Sequence, residues 1–563
     1  MLMTKQAERG DVATRLLRPT LILLLGLAAI AAICLASAGV PFITLHLFRT
    51  QDLPAVVALA GFSLLVPRLL KSPGWVARFA ALADASLSIP PWVLAALVAV
   101  VGLVGGWLVF GFFPLSMDEF WARADGAIYA TGQPMARIPA EWRDYAAALQ
   151  PMFTRIIPQE GLWASEYLPL NAVIQHNLGP LAGPLLAGFS ILVAADIARR
   201  LLPEHRSAPI VCAVLMASSS QLLLNAMTPY AMSAHLAVNL SWLWLFLHSS
   251  RLAQFVALPL VGLAIGLHQV VFFPLFALPF LFEAFLTGRR GAAILQGAAI
   301  ALAFLFWSGW DALLYWWFDV VPAKAGPTGT ALLFKRAVDL VAGFDASNLG
   351  LMSLNLIRWT VWQNLLAVPL LLTVAWTLVR KAGAWRAMLA GIVLTGITMT
   401  VVLAFQGHGW GYRYLHGLLG SLCLLATLAW FRIVERTDDR RRMQALFGAA
   451  LVLSLALLPF RAWQAERFTT PYRTADAAIS RIDADVVVVN APGHAYSIDL
   501  VRNDPFLINR PKRMTPVLLT DQQLAEICRK YQVVEFGDAD AERFGIASLS
   551  VVGETERQLP EAC

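Results

Sequence analysis

Long apolar blocks separated by short polar turns run through most of the chain. Spans at about 20–40, 54–70, 90–112, 178–198, 208–226, 230–248, 254–270, 271–287, 291–317, 360–379, 385–405, 412–432 and 444–460 approach the roughly 20 helical residues that cross a hydrocarbon core. The pattern predicts an α-helical polytopic membrane protein with about thirteen transmembrane helices. The second span is short, and the two that meet near His268 can also be read as one long bent helix. The first follows Arg15 and Arg18 and ends near Ala36-Ser37-Ala38, as a signal peptide does, but its length favours a retained helix.

The turns predict an orientation. Lys71 and Arg78, Arg199 and Arg200 with Arg206, Arg251, Arg289 and Arg290, Arg380 and Lys381 with Arg386, and Arg440 to Arg442 fall on alternate turns. By the positive-inside rule those turns and the N-terminus are cytoplasmic. The loops 113–177 and 318–359 and the tail 461–563 then share the outer side, and the chain divides into a transmembrane domain, 1–460, and an outer domain, 461–563. In the tail, 485–490 and 532–537 read as buried strands with a helix near 521–530 between them, a small α/β domain suited to a lid or to recognition.

Composition sharpens this in two ways. Hydrophobic residues are 58% of the 563 and charged residues 14%, an imbalance that only a bilayer accommodates. The 43 Lys and Arg against 36 Asp and Glu lie mainly in turns, without a basic stripe interleaved with aromatics, so nucleic acid is not an expected partner. Cys34, Cys212 and Cys423 fall inside spans. Cys528 and Cys563 share the tail, and their spacing leaves open whether they pair.

Chemistry concentrates in three outer segments. Phe112 to Tyr129 carries Asp118 and Glu119 just beyond a span, and Phe120, Trp121, Ala124 and Ile128 recur at helical spacing. That spacing predicts an interfacial helix with its apolar face toward lipid and its carboxylates at headgroup height. A plainer role for Asp118 is to cap the helix. Leu162 to Ala172 returns Glu166 and Tyr167 to the same level, although a loop carboxylate is often just solvated. Gly407 to Leu415 places His408, Trp410, Tyr412 and Arg413 at the start of a span. Glycines there permit close backbone approach and the rings offer flat surfaces; an aromatic belt with a snorkelling Arg is the plainer alternative. Trp307, Trp310, Trp316 and Trp317 read as belt. His176, His235, His268 and His408 map to outer span ends and read as scattered interfacial residues. No metal or other cofactor is expected, a divalent ion on these histidines being the minor alternative.

These segments resemble the GT-C superfamily, the membrane glycosyltransferases that use polyprenyl-phosphate sugars and include the aminoarabinose and protein-mannosyl transferases. The echoes are the Asp118-Glu119 pair in a large outer loop, Ser165-Glu166-Tyr167-Leu168-Pro169 leading back into the membrane, the Gly407 to Leu415 turn, and an outer C-terminal domain. The sequence departs in two places: two extra spans precede the acidic loop, and Trp121 stands where the aminoarabinose enzymes often have a basic residue. The resemblance implies a bacterial inner (plasma) membrane enzyme with a periplasmic C-terminal domain. Its donor would be a polyprenyl-phosphate sugar and its acceptor a lipid such as lipopolysaccharide, a glycan or a protein. Asp118 would be the base, with Glu119 and Glu166 orienting sugar or acceptor. Arg413, with Arg123 as a substitute, would hold the phosphate, and Tyr167, His408, Trp410 and Tyr412 would contact substrate.

A transporter or flippase for a lipid-linked or polar substrate is the alternative. Transporters place ionisable residues near the membrane midplane, whereas these span centres read as almost free of charge and show no paired repeat. A non-catalytic assembly partner on the same plan is a third reading.

Overall fold

In a bilayer every backbone polar group must be satisfied within the protein, so uninterrupted apolar runs become helices. The computed structural model describes residues 12–36, 43–320, 329–549, 557–560 and 563. Among them, 8 helices are long and apolar enough to cross a membrane, and the bent pair Ala208–Ala217 and Ser220–Ala226 makes up to 9. Arg251–Ile265, Phe272–Leu286 and Ala367–Val379 are shorter apolar helices, and Met232–Phe246 is another short one. The chain is a multi-pass helical membrane protein. The two helices flanking His268 are separate. Of the Ala36-Ser37-Ala38 motif, Ser37 and Ala38 lie outside the described residues, as does 321–328 of the expected outer loop.

Two expected spans fall short of full length because they break inside the bundle. The bent pair turns by 64° at Ser218 and Ser219. Another break follows Ala346–Val361, before Ala367–Val379. A break frees backbone groups that neighbours must satisfy, and these two breaks serve each other. Gln221 N donates to Trp362 O at 3.1 Å, Asn364 Nδ2 to Ser218 Oγ at 2.8 Å, and Gln363 Nε2 to Gln221 Oε1 at 2.8 Å.

Three expectations are corrected. The turn around Arg78, expected on the cytoplasmic side, is a helix, Pro73–Leu87, packed on the start of Arg440–Ile479. Much of the loop expected at 318–359 is the buried helix Ala346–Val361, whose Gly350 sits against Leu35 and Cys34 of the first span. The division at 460 falls inside one 40-residue helix, Arg440–Ile479. At 1.5 Å per residue it is about 60 Å long, twice the hydrocarbon core, so its second half carries the tail away from the bundle.

The spans are also not free of charge. Asp52, Arg358 and Arg461 are buried together: Asp52 accepts from Arg358 Nε at 2.8 Å and from Trp362 Nε1 at 2.7 Å, and Arg461 donates to Gln51 O at 2.6 Å.

The basic turns gather at one end of the bundle, where Arg289 donates to Phe246 O, Arg386 pairs with Glu283, and Arg441 with Asp84. At the other end the first polar loop and the tail form one lid. The loop supplies helix Met117–Ala130 and an antiparallel sheet in the order β1 (Ala136–Arg137), β3 (Leu162–Ser165), β2 (Thr154–Ile157). The tail supplies a parallel sheet in the order β5 (Lys512–Met514), β4 (Val486–Asn490), β6 (Val533–Gly537), with helix Asp521–Lys530 between β5 and β6. The strands expected in the tail are β4 and β6; the three-residue β5 is too short to show a period in sequence. Trp121, Ala124 and Ile128 share a core with Val486, Val488, Met514 and Ile527. The apolar face of Met117–Ala130 is therefore covered by the tail, not by lipid as its periodicity predicts. Trp163 Nε1 donates to Pro505 O at 2.7 Å, Asn503 Nδ2 to Leu149 O at 2.6 Å, and a Cys528–Cys563 disulfide ties helix Asp521–Lys530 to the chain end.

The packing of Pro73–Leu87 is testable at Gly448, where an added Cβ would lie 2.0 Å from Phe79 O. Backbone cannot yield as a side-chain tip can, and overpacking costs about 1–3 kcal/mol. Gly448→Ala should lower the thermal unfolding midpoint of the purified protein; an unchanged midpoint would mean that the helices do not meet there.

Candidate active site

The lid helix begins with a capping box. Ser116 Oγ accepts from Glu119 N at 3.2 Å, and Glu119 Oε2 accepts from Ser116 N at 2.8 Å. Ser116 is thus the cap, not Asp118. Glu119 is spent on the box and 1% exposed, so the substrate-orienting role expected of it is not available; burial holds its carboxyl above the ordinary range. Asp118, one position earlier in the first turn, is left to project toward the bundle.

There Asp118 Oδ2 accepts from Arg413 Nη1 at 2.7 Å, and Oδ1 accepts from the Tyr167 hydroxyl. Tyr167 stacks on His268, ring centroids 4.5 Å apart, and the Arg413 guanidinium lies 4.5 Å over the Tyr230 ring. Burial opposes the Asp118 charge, but Arg413, His268 and the Tyr167 hydroxyl outweigh it and hold the carboxyl below its ordinary value. The side chains of Arg413 and Asp118 keep 9% and 16% of their exposure.

Arg413 is aimed by the turn before it. Gly409 has φ +145° and an added Cβ would meet the Arg413 side chain at 2.6 Å; Gly411 has φ +71° and would meet Gln221 at 2.6 Å. Amides from the broken span hold the turn: Asn225 Nδ2 donates to Trp410 O at 2.7 Å and Gln221 Nε2 to Tyr412 O at 2.8 Å. Gln406 spans it, donating to Gly411 O at 2.9 Å and accepting from Arg413 N at 2.8 Å. Arg413 Nε is buried with no partner among the described residues. A cavity of ≈20 Å³ beside it is lined by His235, Asn239, Thr395 and Tyr414.

The other expected residues lie elsewhere. Trp410 and Tyr412 are 1% and 0% exposed, Trp410 between Phe110 and Phe468, so they pack the core and present no flat surface. His408 Nε2 is 3.0 Å from Asp499 Oδ2 and so fastens the turn to the tail. Glu166 is exposed, and its neighbour Tyr167 is the residue that reaches Asp118. Arg123 sits five residues past Asp118, about 140° round the helix, and faces away from Arg413. Trp316 and Trp317 are exposed, as a belt requires, while Trp310 packs against the lid. The described residues, His176, His235, His268 and His408 among them, contain no group of three or more His, Cys, Asp or Glu able to hold a metal ion.

Sequence reading missed two residues. The Ser116-x-x-Glu119 spacing was there to be read as a capping box. Asp125 gave no such sign: it is 2% exposed and accepts from Ser165 N at 3.2 Å and from Ser165 Oγ, which itself accepts from Tyr167 N at 3.1 Å. Asp125 therefore sets the strand end that delivers Tyr167.

The sequence matches no family model and no curated protein. Two solved structures of ArnT from Cupriavidus metallidurans are similar over part of their course. The form bound to undecaprenyl phosphate is 11% identical over 73% of this chain and 85% of that one, with a TM-score of 0.44. The apo state is 13% identical over 73% and 83%, with a TM-score of 0.40.

Burial pushes the Asp125 carboxyl up to about 6 from 3.8. The folded chain then holds this proton where the unfolded chain has lost it, so raising the pH across that interval costs stability. Asp125→Asn should raise the unfolding midpoint near pH 8 and change it little near pH 4. A lower midpoint near pH 8 would show that the charged form is the favoured one.

Proposed function

We propose that this protein is a membrane glycosyltransferase that takes a sugar from a polyprenyl phosphate and passes it to an envelope acceptor on the non-cytoplasmic face. The observation that carries the proposal is the Asp118–Arg413 pair: a carboxylate and a guanidinium at 2.7 Å, buried yet reachable, at the end of the bundle opposite the basic turns. By the positive-inside rule that end is extracytoplasmic.

The chemistry follows from the two charges. The acceptor oxygen bonds to the sugar's anomeric carbon as the bond from that carbon to the phosphate oxygen breaks. The electron pair goes to the phosphate and the acceptor's proton to Asp118. A carboxyl held below its ordinary pKa is a weak base, so positioning and leaving-group stabilisation supply most of the acceleration. Arg413 serves both needs, fixing Asp118 through Nη1 while its guanidinium charge meets the leaving phosphate. Tyr167 orients Asp118 from the other side.

A transporter is the second reading, and the buried Asp52, Arg358 and Arg461 favour it, since intramembrane charges often mark a transport path. These three charges are engaged with each other and with backbone, which suits a structural tie equally well.

Transfer from a polyprenyl-phosphate sugar by the purified protein in lipid separates the readings. Asp118→Asn should abolish it with the lid helix still capped by Ser116, and should lower the unfolding midpoint because the buried Arg413 charge is left unpaired. Arg413→Lys should lower the rate about a hundredfold, the usual loss for one electrostatic contact in a dry site. Near-normal turnover by Arg413→Lys would move the phosphate site elsewhere.

Tyr167→Phe gives a finer test. Removing a donor from a carboxylate raises its pKa, so the acid limb of the rate profile should move to higher pH. A profile that drops uniformly without shifting would mean that Tyr167 does not act through Asp118.

A further inference from the structure

On the far side of the lid helix from Asp118 a cleft of ≈430 Å³ opens between Met117–Ala130 and the tail. Phe113 and Phe120 form its apolar wall, and Arg123, Arg502, Arg510 and Arg513 its polar one. Of the two carboxylates that line it, Asp476 is taken by Arg513 at 2.5 Å and Asp504 accepts from Phe506 N at 2.8 Å within its own loop. Arg502 is 7% exposed, and its donors meet the carbonyls of Pro114, Leu115 and Asp499, while the carboxylates of Asp499, Asp476 and Glu119 act on it from a distance without a direct ion pair. Arg510 reaches Asp485 at 3.3 Å with more than half of its side chain exposed. Arg123 is exposed and has no hydrogen bond or ion pair to any described residue.

We infer that this cleft is a binding site for an anionic saccharide, a sugar bearing phosphate or carboxylate groups, separate from the Asp118–Arg413 site. The volume falls within the roughly 300–1,000 Å³ of small-ligand sites. Guanidinium forks match the paired oxygens of phosphate and carboxylate, and the Phe113 and Phe120 rings give a sugar face an apolar surface to lie on. Arg502, 4.6 Å over the Phe113 ring, joins the two walls. Arg502 and Arg513 are fixed in place and preform the site, Arg513 with its charge met by Asp476, while Arg123 is left with donors to spend on a ligand. The inference rests on the cleft alone and stands whether or not Asp118 and Arg413 transfer a sugar.

The test is equilibrium binding of glucose 1-phosphate, inorganic phosphate and glucose to the full-length protein in lipid nanodiscs. Glucose 1-phosphate should bind more tightly than either of the others. Arg123→Gln should weaken it about tenfold, as loss of one charged hydrogen bond does, without moving the unfolding midpoint. Arg510→Gln should weaken it as well, and Arg413→Lys should leave it unchanged. Three results would overturn the inference. Binding indifferent to both Arg123→Gln and Arg510→Gln would remove the cleft. Equal affinity for inorganic phosphate would reduce it to a simple anion site. Loss in Arg413→Lys alone would place the ligand at the transfer site, overturning the cleft while leaving the proposed function intact.

Discussion

The arrangement depends on one contact, the ion pair between Asp118 and Arg413. Isolated, either charge would be expensive to bury; together, with Tyr167 on the second carboxylate oxygen and Tyr230 beneath the guanidinium, they are held ionised in an apolar setting. Each partner arrives from a different layer of the molecule. Asp118 comes on the lid helix, whose first turn is fixed by Ser116 and Glu119. Arg413 comes on a bundle helix whose preceding turn is fixed by Gln221, Asn225 and Gln406. The pair is therefore also the joint between lid and bundle.

That joint explains why the bundle breaks where it does. A continuous helix through 208–226 would turn Gln221 and Asn225 inward along a regular ladder. The 64° bend instead sends both amides to the carbonyls of the 406–413 turn. The facing break after Val361 supplies Gln363 and Asn364 to the same polar seam. Broken helices in a membrane persist where side chains take over the freed backbone groups, and here they also fix the aim of Arg413.

Much of this was legible from residues alone. Apolar length announced the spans, and Asp118, Tyr167 and Arg413 stood out because each lies at a span end inside a polar, aromatic or glycine-rich segment. What was not legible has a common physical origin. Periodicity shows that the face of Trp121, Ala124 and Ile128 must be buried, but lipid and β4 bury it equally well. An aromatic beside a glycine, such as Trp410, can line a site or fill a core, and only packing decides. Ala346–Val361 read as loop because Asn348, Asn355 and Arg358 interrupt its apolar run; those side chains bond inside the bundle to Thr400 O, Ala404 O and Asp52.

The central claim is that Arg413 receives the phosphate of a polyprenyl-linked donor. A structure of the protein in nanodiscs with bound polyprenyl phosphate tests it most directly. Phosphate density is expected within about 4 Å of the Arg413 guanidinium, with Asp118 still beside it and the isoprenoid running into the bundle. Phosphate density lodged against Arg358 and Arg461, with Arg413 and Asp118 undisturbed, would contradict it.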